Sequence, residues 1–171
     1  GETDAAISQY QRVLERQPKS AGVHGVIASL YYNTGNVAAA QKHYEQALAI
    51  DPRLGWAANN LAWIHVDQGG DLDVALALAQ KAKELEPDSV PASDTLAWIL
   101  LKRGMYSAAV PMFRDCVSKV PSSATYRYHL GMALLASGKK PEAKANLEAA
   151  RRMKLAQADD QAARAALSGL N

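Results

Sequence analysis

The amino-acid sequence predicts an all-α protein built from repeated pairs of antiparallel helices. Prolines recur at intervals of 34, 35 and 34 residues, and glycines recur at a similar interval. Small residues keep two further rows in the same register, as expected of a repeated two-helix unit. The four rows are Pro18, Pro52, Pro87 and Pro121; Gly1, Gly35, Gly69, Gly104 and Gly138; Ala6, Ala40, Ala75, Ala109 and Ala143; and Ala28, Ala62, Ala97 and Gly131.

Each row has a physical role in such a unit. Proline just beyond an apolar helical run ends the helix, because proline lacks an N–H and restricts the residue before it. Glycine adopts the left-handed conformation that closes a helix. Apolar residues between these marks recur three and four positions apart, as in Leu130, Leu134 and Leu135, which indicates amphipathic helices. Alanine or glycine at fixed positions lets two helices approach closely.

The composition excludes several classes of protein. With 171 residues and a formal net charge of +2, the chain has no strong attraction to nucleic acid or to an anionic membrane. The single cysteine, Cys116, cannot form an internal disulfide framework. No apolar stretch approaches the roughly 20 residues that span a bilayer, so no direct membrane insertion is expected.

The register of the four rows divides the chain into successive repeats that form one continuous array. Because Gly1 occupies the turn position, we expect the sequence to begin within a repeat and to belong to a longer protein. Ile7, Tyr10 and Leu14 would then lack the first helix of their own repeat, which would otherwise pack against them. We predict one domain over residues 1–171, with a half repeat at 1–20, full repeats at 21–54, 55–89, 90–123 and 124–155, and a capping helix at 156–171.

Local signals predict several helix starts. Asn36 and Asp71 are suited to N-cap positions, and Pro141 is suited to a first helical turn. With Ser107 as a cap, Pro111 would lie fourth in its helix and remove about one backbone hydrogen bond.

The repeat resembles the tetratricopeptide repeat. The family's aromatic and small positions are Tyr31, Gly35, Ala40, Tyr44, Ala47 and Pro52 in the first full repeat. The resemblance implies a right-handed α-solenoid, or superhelix, that binds a protein or peptide partner. The chain departs from the family at the fourth repeat position, which holds His24, Ala58, Ser93 and Arg127, and in ending its last repeat at Leu155 instead of proline.

The resemblance also implies where ligand contacts lie, because the first helix of each repeat lines the concave side. In the first full repeat the family's contact positions include Gly25, Ser29 and Asn33. Asn60 matches a family position that binds peptide backbone. We predict a peptide-binding groove formed by Trp56, Asn59, Asn60, Trp63, Asp67, Asp94, Thr95, Trp98, Tyr128 and His129.

Two interpretations of the tryptophans remain open. Trp56 and Trp63 are seven residues apart and share a helix face, which favours an aromatic-walled groove. The alternative is that Trp63 and Trp98 are core residues between helices, since large aromatic side chains commonly pack. The family's two-carboxylate clamp is not expected, because its basic and amide positions hold Gly25, Ser29, Pro91 and Thr95.

Other chemistry is not indicated. His24, His43, His65 and His129 lack the spacing of a zinc site, and Cys116 stands in a row of small apolar residues. No catalytic motif is present, so we expect neither an enzyme nor a cofactor. The basic run from Lys139 to Lys154 is interpreted as a solvated helix face, with an acidic partner or a lipid headgroup as the alternative.

The leading hypothesis is therefore a non-catalytic module that holds a partner segment in its groove. One alternative is a structural scaffold or self-associating spacer, with a homodimer formed through the half repeat. Another is a substrate-positioning domain of a larger enzyme. Residues 59–72 resemble repeats of bacterial envelope lipoproteins and exopolysaccharide-export proteins, which suggests the periplasm or cell envelope, with the cytoplasm as the alternative.

Overall fold

A computed structural model describes residues 1–170, and these residues form ten α-helices without a β-strand. The prediction of an all-α chain is confirmed. The helices are α1 (Glu2–Arg16), α2 (Ala21–Asn33), α3 (Val37–Ile50), α4 (Gly55–Asp67), α5 (Leu72–Leu85), α6 (Val90–Lys102), α7 (Tyr106–Lys119), α8 (Ala124–Ala136), α9 (Lys140–Arg152) and α10 (Gln157–Ser168).

The helices are organised in two compact units. The first unit, Gly1–Asp88, contains α1 to α5, and the second begins at Ser89 and contains α6 to α10. In the first unit α2 packs along α3 and α4 packs along α5, while α1 covers α2 and α3 meets α4. In the second unit α6 packs along α7 and α8 along α9, while α7 meets α8 and α10 covers α8 and α9. The predicted helix pairs are confirmed in both units.

The turn inside each helix pair depends on glycine. Gly35, Gly69, Gly104 and Gly138 have φ values of 79°, 66°, 75° and 79°, a region that side chains with a Cβ disfavour. After α2, the N–H groups of Gly35 and Asn36 donate to the carbonyls of Tyr32 and Tyr31, which satisfies the last helical carbonyls. This arrangement explains the glycine row found in the sequence.

Helix starts follow the sequence in most places. The side chain of Asn36 accepts from the N–H of Ala39, and that of Asp71 accepts from the N–H of Asp73. The predicted Ser107 cap is wrong, because α7 begins at Tyr106 and Met105 occupies the N-cap position without a side-chain hydrogen bond. Pro111 is therefore the sixth helical residue, and its exposed position tolerates the missing backbone hydrogen bond.

Small residues and aromatic rings share the core. In the first unit Ala28, Ala40, Ala57, Leu61 and Ile64 surround the fully buried ring of Tyr44. In the second unit Phe113, Leu130, Leu134 and Ala143 form the main cluster. Alanine at the crossing positions brings the helix axes close enough for these larger side chains to fill the remaining space.

The outermost helices of the described chain differ in their cover. On α1, Ile7 is buried, but Tyr10 and Val13 remain 37% and 39% exposed. On α10, Ala163 is buried against Leu147 and Ala150, as expected of a capping helix. Within residues 1–170, no helix combines the length and the apolar character needed to cross a bilayer.

Candidate functional site

A pocket of about 360 Å³ lies on the surface that α2 and α4 form in the first unit. These are the first helices of two successive repeats, and α3 contributes the ring of Tyr44. The pocket combines three aromatic side chains with three uncharged polar side chains. It is lined by Ser29, Tyr32, Asn33, Tyr44, Asn60 and Trp63.

A chain of hydrogen bonds orients the polar groups of this pocket. The Nδ2 group of Asn60 donates to the hydroxyl of Tyr44 over 2.9 Å. The Tyr44 hydroxyl lies 2.8 Å from the Oγ of Ser29, and Ser29 donates to the carbonyl of Gly25. Because Ser29 uses its proton on Gly25, Tyr44 is the donor to Ser29. The chain of hydrogen bonds therefore fixes the Asn60 side chain through one of its two Nδ2 protons.

A further hydrogen bond holds Trp63 and Tyr32, which form the aromatic wall of the pocket. The Nε1 of Trp63 donates to the Tyr32 hydroxyl over 2.9 Å, so Tyr32 accepts in this bond and its own hydroxyl proton points away from Trp63. Burial raises the pKa of Tyr32 above its ordinary value, and the nearby charge of Asp67 adds to this rise. Tyr32 is therefore a neutral donor at physiological pH. The indole of Trp63 is half-buried, with one face available to the pocket.

The other predicted site residues of the first unit lie beside the pocket. The half-buried ring of Trp56 meets Tyr44 edge-on at 6.4 Å and covers Gly25. Asn59 donates to the Oδ1 of Asn60 over 3.3 Å, and its own Oδ1 is buried without a partner in the described part of the chain. Asp67 is exposed at the end of α4.

The predicted site residues of the second unit form a different structure. Asp94 and His129 are 5% and 2% exposed, and the Nδ1 of His129 lies 2.9 Å from a carboxylate oxygen of Asp94. Thr95 is also buried. These groups have almost no surface for a ligand, and the Asp94 carboxylate on α6 is engaged by His129 on α8, the first helix of the next repeat.

Trp98 packs over this buried pair. Its ring centroid lies 4.2 Å from that of His129, 6.1 Å from that of Tyr128 and 6.4 Å from that of Phe113. The Nζ of Lys102 lies 5.0 Å above the ring, a cation–π distance. The packing of Trp98 against three rings matches the core interpretation, whereas Trp63 lines an open pocket.

Tyr32 and Tyr44 line the pocket, although neither was among the predicted site residues. Both side chains reach the pocket because a phenol is long enough to cross from its own helix to the next. The adjacent tyrosines at the end of α2 were the available signal for Tyr32. Cys116 is fully buried, as the interpretation as a small apolar residue predicted.

The basic run is largely solvated. Lys139, Lys140, Lys144 and Arg152 are exposed. Arg151 donates to Asp160 over 2.7 Å and thereby joins α9 to α10. This bond lowers the pKa of the Asp160 carboxyl, and Arg164 contributes to the same effect.

Comparison with known proteins identifies the repeat. Tetratricopeptide repeat models match residues 1–53 and residues 95–163, together more than two thirds of the chain. The chain belongs to the tetratricopeptide repeat family. Repeats of this family are in general protein–protein interaction modules and non-catalytic scaffolds. A comparison with curated protein sequences gave no match.

Solved structures of the family share this fold. YrrB, described as a tetratricopeptide repeat protein with an unusual peptide-binding site, is 21% identical with a TM-score of 0.71, over 95% of this chain and 84% of YrrB. PilF of Pseudomonas aeruginosa is 18% identical with a TM-score of 0.74, over 99% of this chain and 82% of PilF. MamA is 20% identical with a TM-score of 0.72, over 90% of this chain and 89% of MamA. At these identities the likeness establishes the fold.

Proposed function

We propose that this tetratricopeptide repeat protein is a non-catalytic interaction module whose first unit binds an extended segment of a partner protein. The observation behind this proposal is the pocket of about 360 Å³ between α2 and α4, which combines aromatic walls with oriented hydrogen-bond donors. That volume accommodates one large side chain and the backbone beside it. The peptide-binding site described for YrrB adds support from the same fold.

The hydrogen-bond directions indicate what the pocket accepts. The hydroxyl proton of Tyr32 and the second Nδ2 proton of Asn60 are both available to a ligand. Two donors suit the carbonyl oxygens of an extended peptide backbone. No lining residue carries a charge, so binding does not require a carboxylate or a basic side chain on the partner.

Affinity would come mainly from the aromatic wall. Half-buried tryptophan and tyrosine side chains dominate many interfaces, because they exclude water over a large area while retaining a polar group. In this pocket the hydrogen bond to Tyr32 already holds Trp63 in place. The wall is therefore organised before a partner arrives, which lowers the entropic cost of binding.

A peptide library displayed on phage provides a probe for this pocket. A peptide selected on the wild-type chain should shift tryptophan emission on binding. Trp63→Ala should weaken its binding by about 2 kcal/mol or more, roughly 30-fold. Asn60→Ala should also weaken binding, because it removes a donor. Affinity should change little between low and moderate salt, because the pocket is uncharged.

Tyr10→Ala is the matched control, since Tyr10 is an exposed aromatic residue on α1, away from the pocket lining. It should leave peptide affinity unchanged. Selected peptides that bind Trp63→Ala as tightly as the wild type would refute the pocket as the binding site.

Self-association through α1 remains a prediction. Its exposed Tyr10 and Val13 are the observation that favours it. Light scattering of the wild type and of a Tyr10→Ser, Val13→Ser variant would test it, since a dimer held by this face should dissociate in the variant.

A further inference from the structure

Two histidines that are distant in the sequence meet inside the first unit. His24 lies near the start of α2 and His43 lies in the middle of α3. Their Nδ1 atoms are 3.1 Å apart, and their ring centroids are 5.3 Å apart. The spacing of the histidines along the chain does not indicate this contact, because the turn between α2 and α3 creates it.

The surroundings of His24 determine which of its nitrogens carries the proton. Its Nε2 lies 3.2 Å from the carbonyl oxygen of Pro18, which can only accept a hydrogen bond. Nε2 therefore carries the proton, and the lone pair of Nδ1 faces His43. A backbone carbonyl on the distal nitrogen is the usual support of a metal-binding imidazole.

His43 is held in place but remains accessible. The ring of Tyr31 stacks on it, with centroids 5.6 Å apart and planes 29° from parallel. The His43 side chain is half-buried, so an ion with bound water could reach it. Burial lowers the pKa of His43, and the neighbouring His24 lowers it further.

The separation of the two Nδ1 atoms suits two ligands of one ion. With metal–nitrogen bonds of about 2.0–2.1 Å, a separation of 3.1 Å gives a ligand angle of about 95–100°. This angle lies about midway between the square-planar and the tetrahedral values. Tetragonal nitrogen sites are characteristic of Cu²⁺ and Ni²⁺, and Cu²⁺ binds such ligands more tightly.

We propose that His24 and His43 form a two-imidazole site for a divalent transition-metal ion, with Cu²⁺ preferred. Both rings bind through Nδ1, and water completes the coordination. No group of three or more potential metal-binding side chains occurs in residues 1–170, so the affinity is set by two imidazoles alone. Neither histidine lines the peptide pocket.

The protons balance in this step. Without metal, the Nδ1–H of His43 donates to the Nδ1 of His24. When the ion binds, that proton moves to Nε2 of His43, so both ligands stay neutral and no proton is released to solvent. At acidic pH protons compete with the ion for the same lone pairs, so binding weakens.

The test uses Cu²⁺ alone as the probe and the full chain without an affinity tag. Isothermal titration should show one site, and electron paramagnetic resonance should show hyperfine coupling to two imidazole nitrogens. His43→Asn should weaken binding at least tenfold. The Nδ2 group of asparagine can keep the hydrogen bond to His24, so this variant separates metal binding from structural support.

His65→Gln is the control, because His65 lies on α4 and is not part of the pair. It should leave Cu²⁺ affinity unchanged. Circular dichroism of the metal-free variants establishes that they are folded, and His24→Gln replaces His43→Asn should that variant unfold. Unchanged affinity in the folded variant, or coupling to a single imidazole, would overturn the proposal and assign the copper to the amino terminus or to surface histidines.

Discussion

Trp63 and Trp98 occupy the same position in two successive repeats, 35 residues apart, yet their surroundings differ. Trp63 donates to the Tyr32 hydroxyl and forms one wall of an open, uncharged pocket. Trp98 stacks on His129 at 4.2 Å and covers a buried carboxylate–imidazole pair. The repeat position places an indole on the first helix, but it does not determine whether the indole lines an open pocket or packs against other rings.

The neighbouring residues account for the difference. Asn59 and Asn60 precede Trp63, whereas Asp94 and Thr95 stand at the equivalent positions before Trp98. Neutral amides can stay half-buried and share hydrogen bonds with a ligand. A buried carboxylate must be paired, because an isolated buried charge is costly. In the second unit Asp94 is paired with His129, and Trp98 packs over the pair.

Asp94→Ala should have the largest effect on stability, because it breaks a buried pair. We expect the free energy of unfolding to fall by about 3 kcal/mol or more. Asn59→Ala is the matched control at the equivalent repeat position. Its cost should stay below about 1.5 kcal/mol, because its Oδ1 has no partner to lose. Urea denaturation followed by circular dichroism measures both, and equal costs would remove the proposed distinction between the two units.

Gly25→Ala should have the next largest effect, a loss of stability in the first unit. A Cβ at Gly25 would lie 2.2 Å from the ring of Trp56, so the indole must move. Overpacking of this kind costs about 1–3 kcal/mol. Gly22→Ala on the same helix is the control, since no atom lies within 4 Å of its Cβ position, and it should be neutral or slightly stabilising. Thermal unfolding and the emission of Trp56 report the change, and a neutral Gly25→Ala would show that the ring is free to shift.

Much of the fold could be predicted from the sequence, because it depends on periodic features. The spacing of Pro18 and Pro52, and of Gly35 and Gly69, follows from local backbone geometry that recurs in every repeat. The pocket could be predicted only in part. The positions of Asn60 and Trp63 follow from the repeat register, and their role in binding a partner peptide stays a proposal.

The remaining features arise from tertiary contacts. The bond between Asp94 and His129 and the contact between His24 and His43 each join residues on different helices. Their geometry depends on how the helices pack and on which rotamers the core allows. Sequence spacing alone contains neither piece of information, so both pairs were missed.

A pH titration should distinguish the units further. Burial and the neighbouring His24 hold the pKa of His43 below its ordinary value of 6.5. Below pH 6.5 the unfolded chain therefore binds protons more readily than the folded chain. The contribution of His43 to the free energy of unfolding is fully present above pH 6.5, and it is lost as the pH falls through the lowered pKa of the folded state.

In the second unit the Arg151 hydrogen bond lowers the pKa of Asp160 below its ordinary value of 3.8, so the stabilisation from Asp160 is present above pH 3.8 and is lost only at lower pH. Amide hydrogen exchange at pH 7.5 and 5.5 should show loss of protection in α2 and α3 without an equal loss in α9 and α10. His43→Asn should reduce this difference. Equal loss in all four helices would contradict a local origin at His43.

The smallest expected effect concerns the turn after α9. Lys154 has φ 64° at the position where Gly35 and Gly138 stand after α2 and α8. This conformation costs a residue with a Cβ about 1–2 kcal/mol. Glycine avoids that cost but loses about 0.5–1 kcal/mol more in backbone entropy on folding. Lys154→Gly should therefore stabilise the second unit by about 0.5 kcal/mol in urea denaturation. Gly138→Ala should show the opposite sign, because its site is open in space and only the backbone is strained. Destabilisation by Lys154→Gly would mean that the exposed lysine side chain contributes more to this turn than the backbone strain removes.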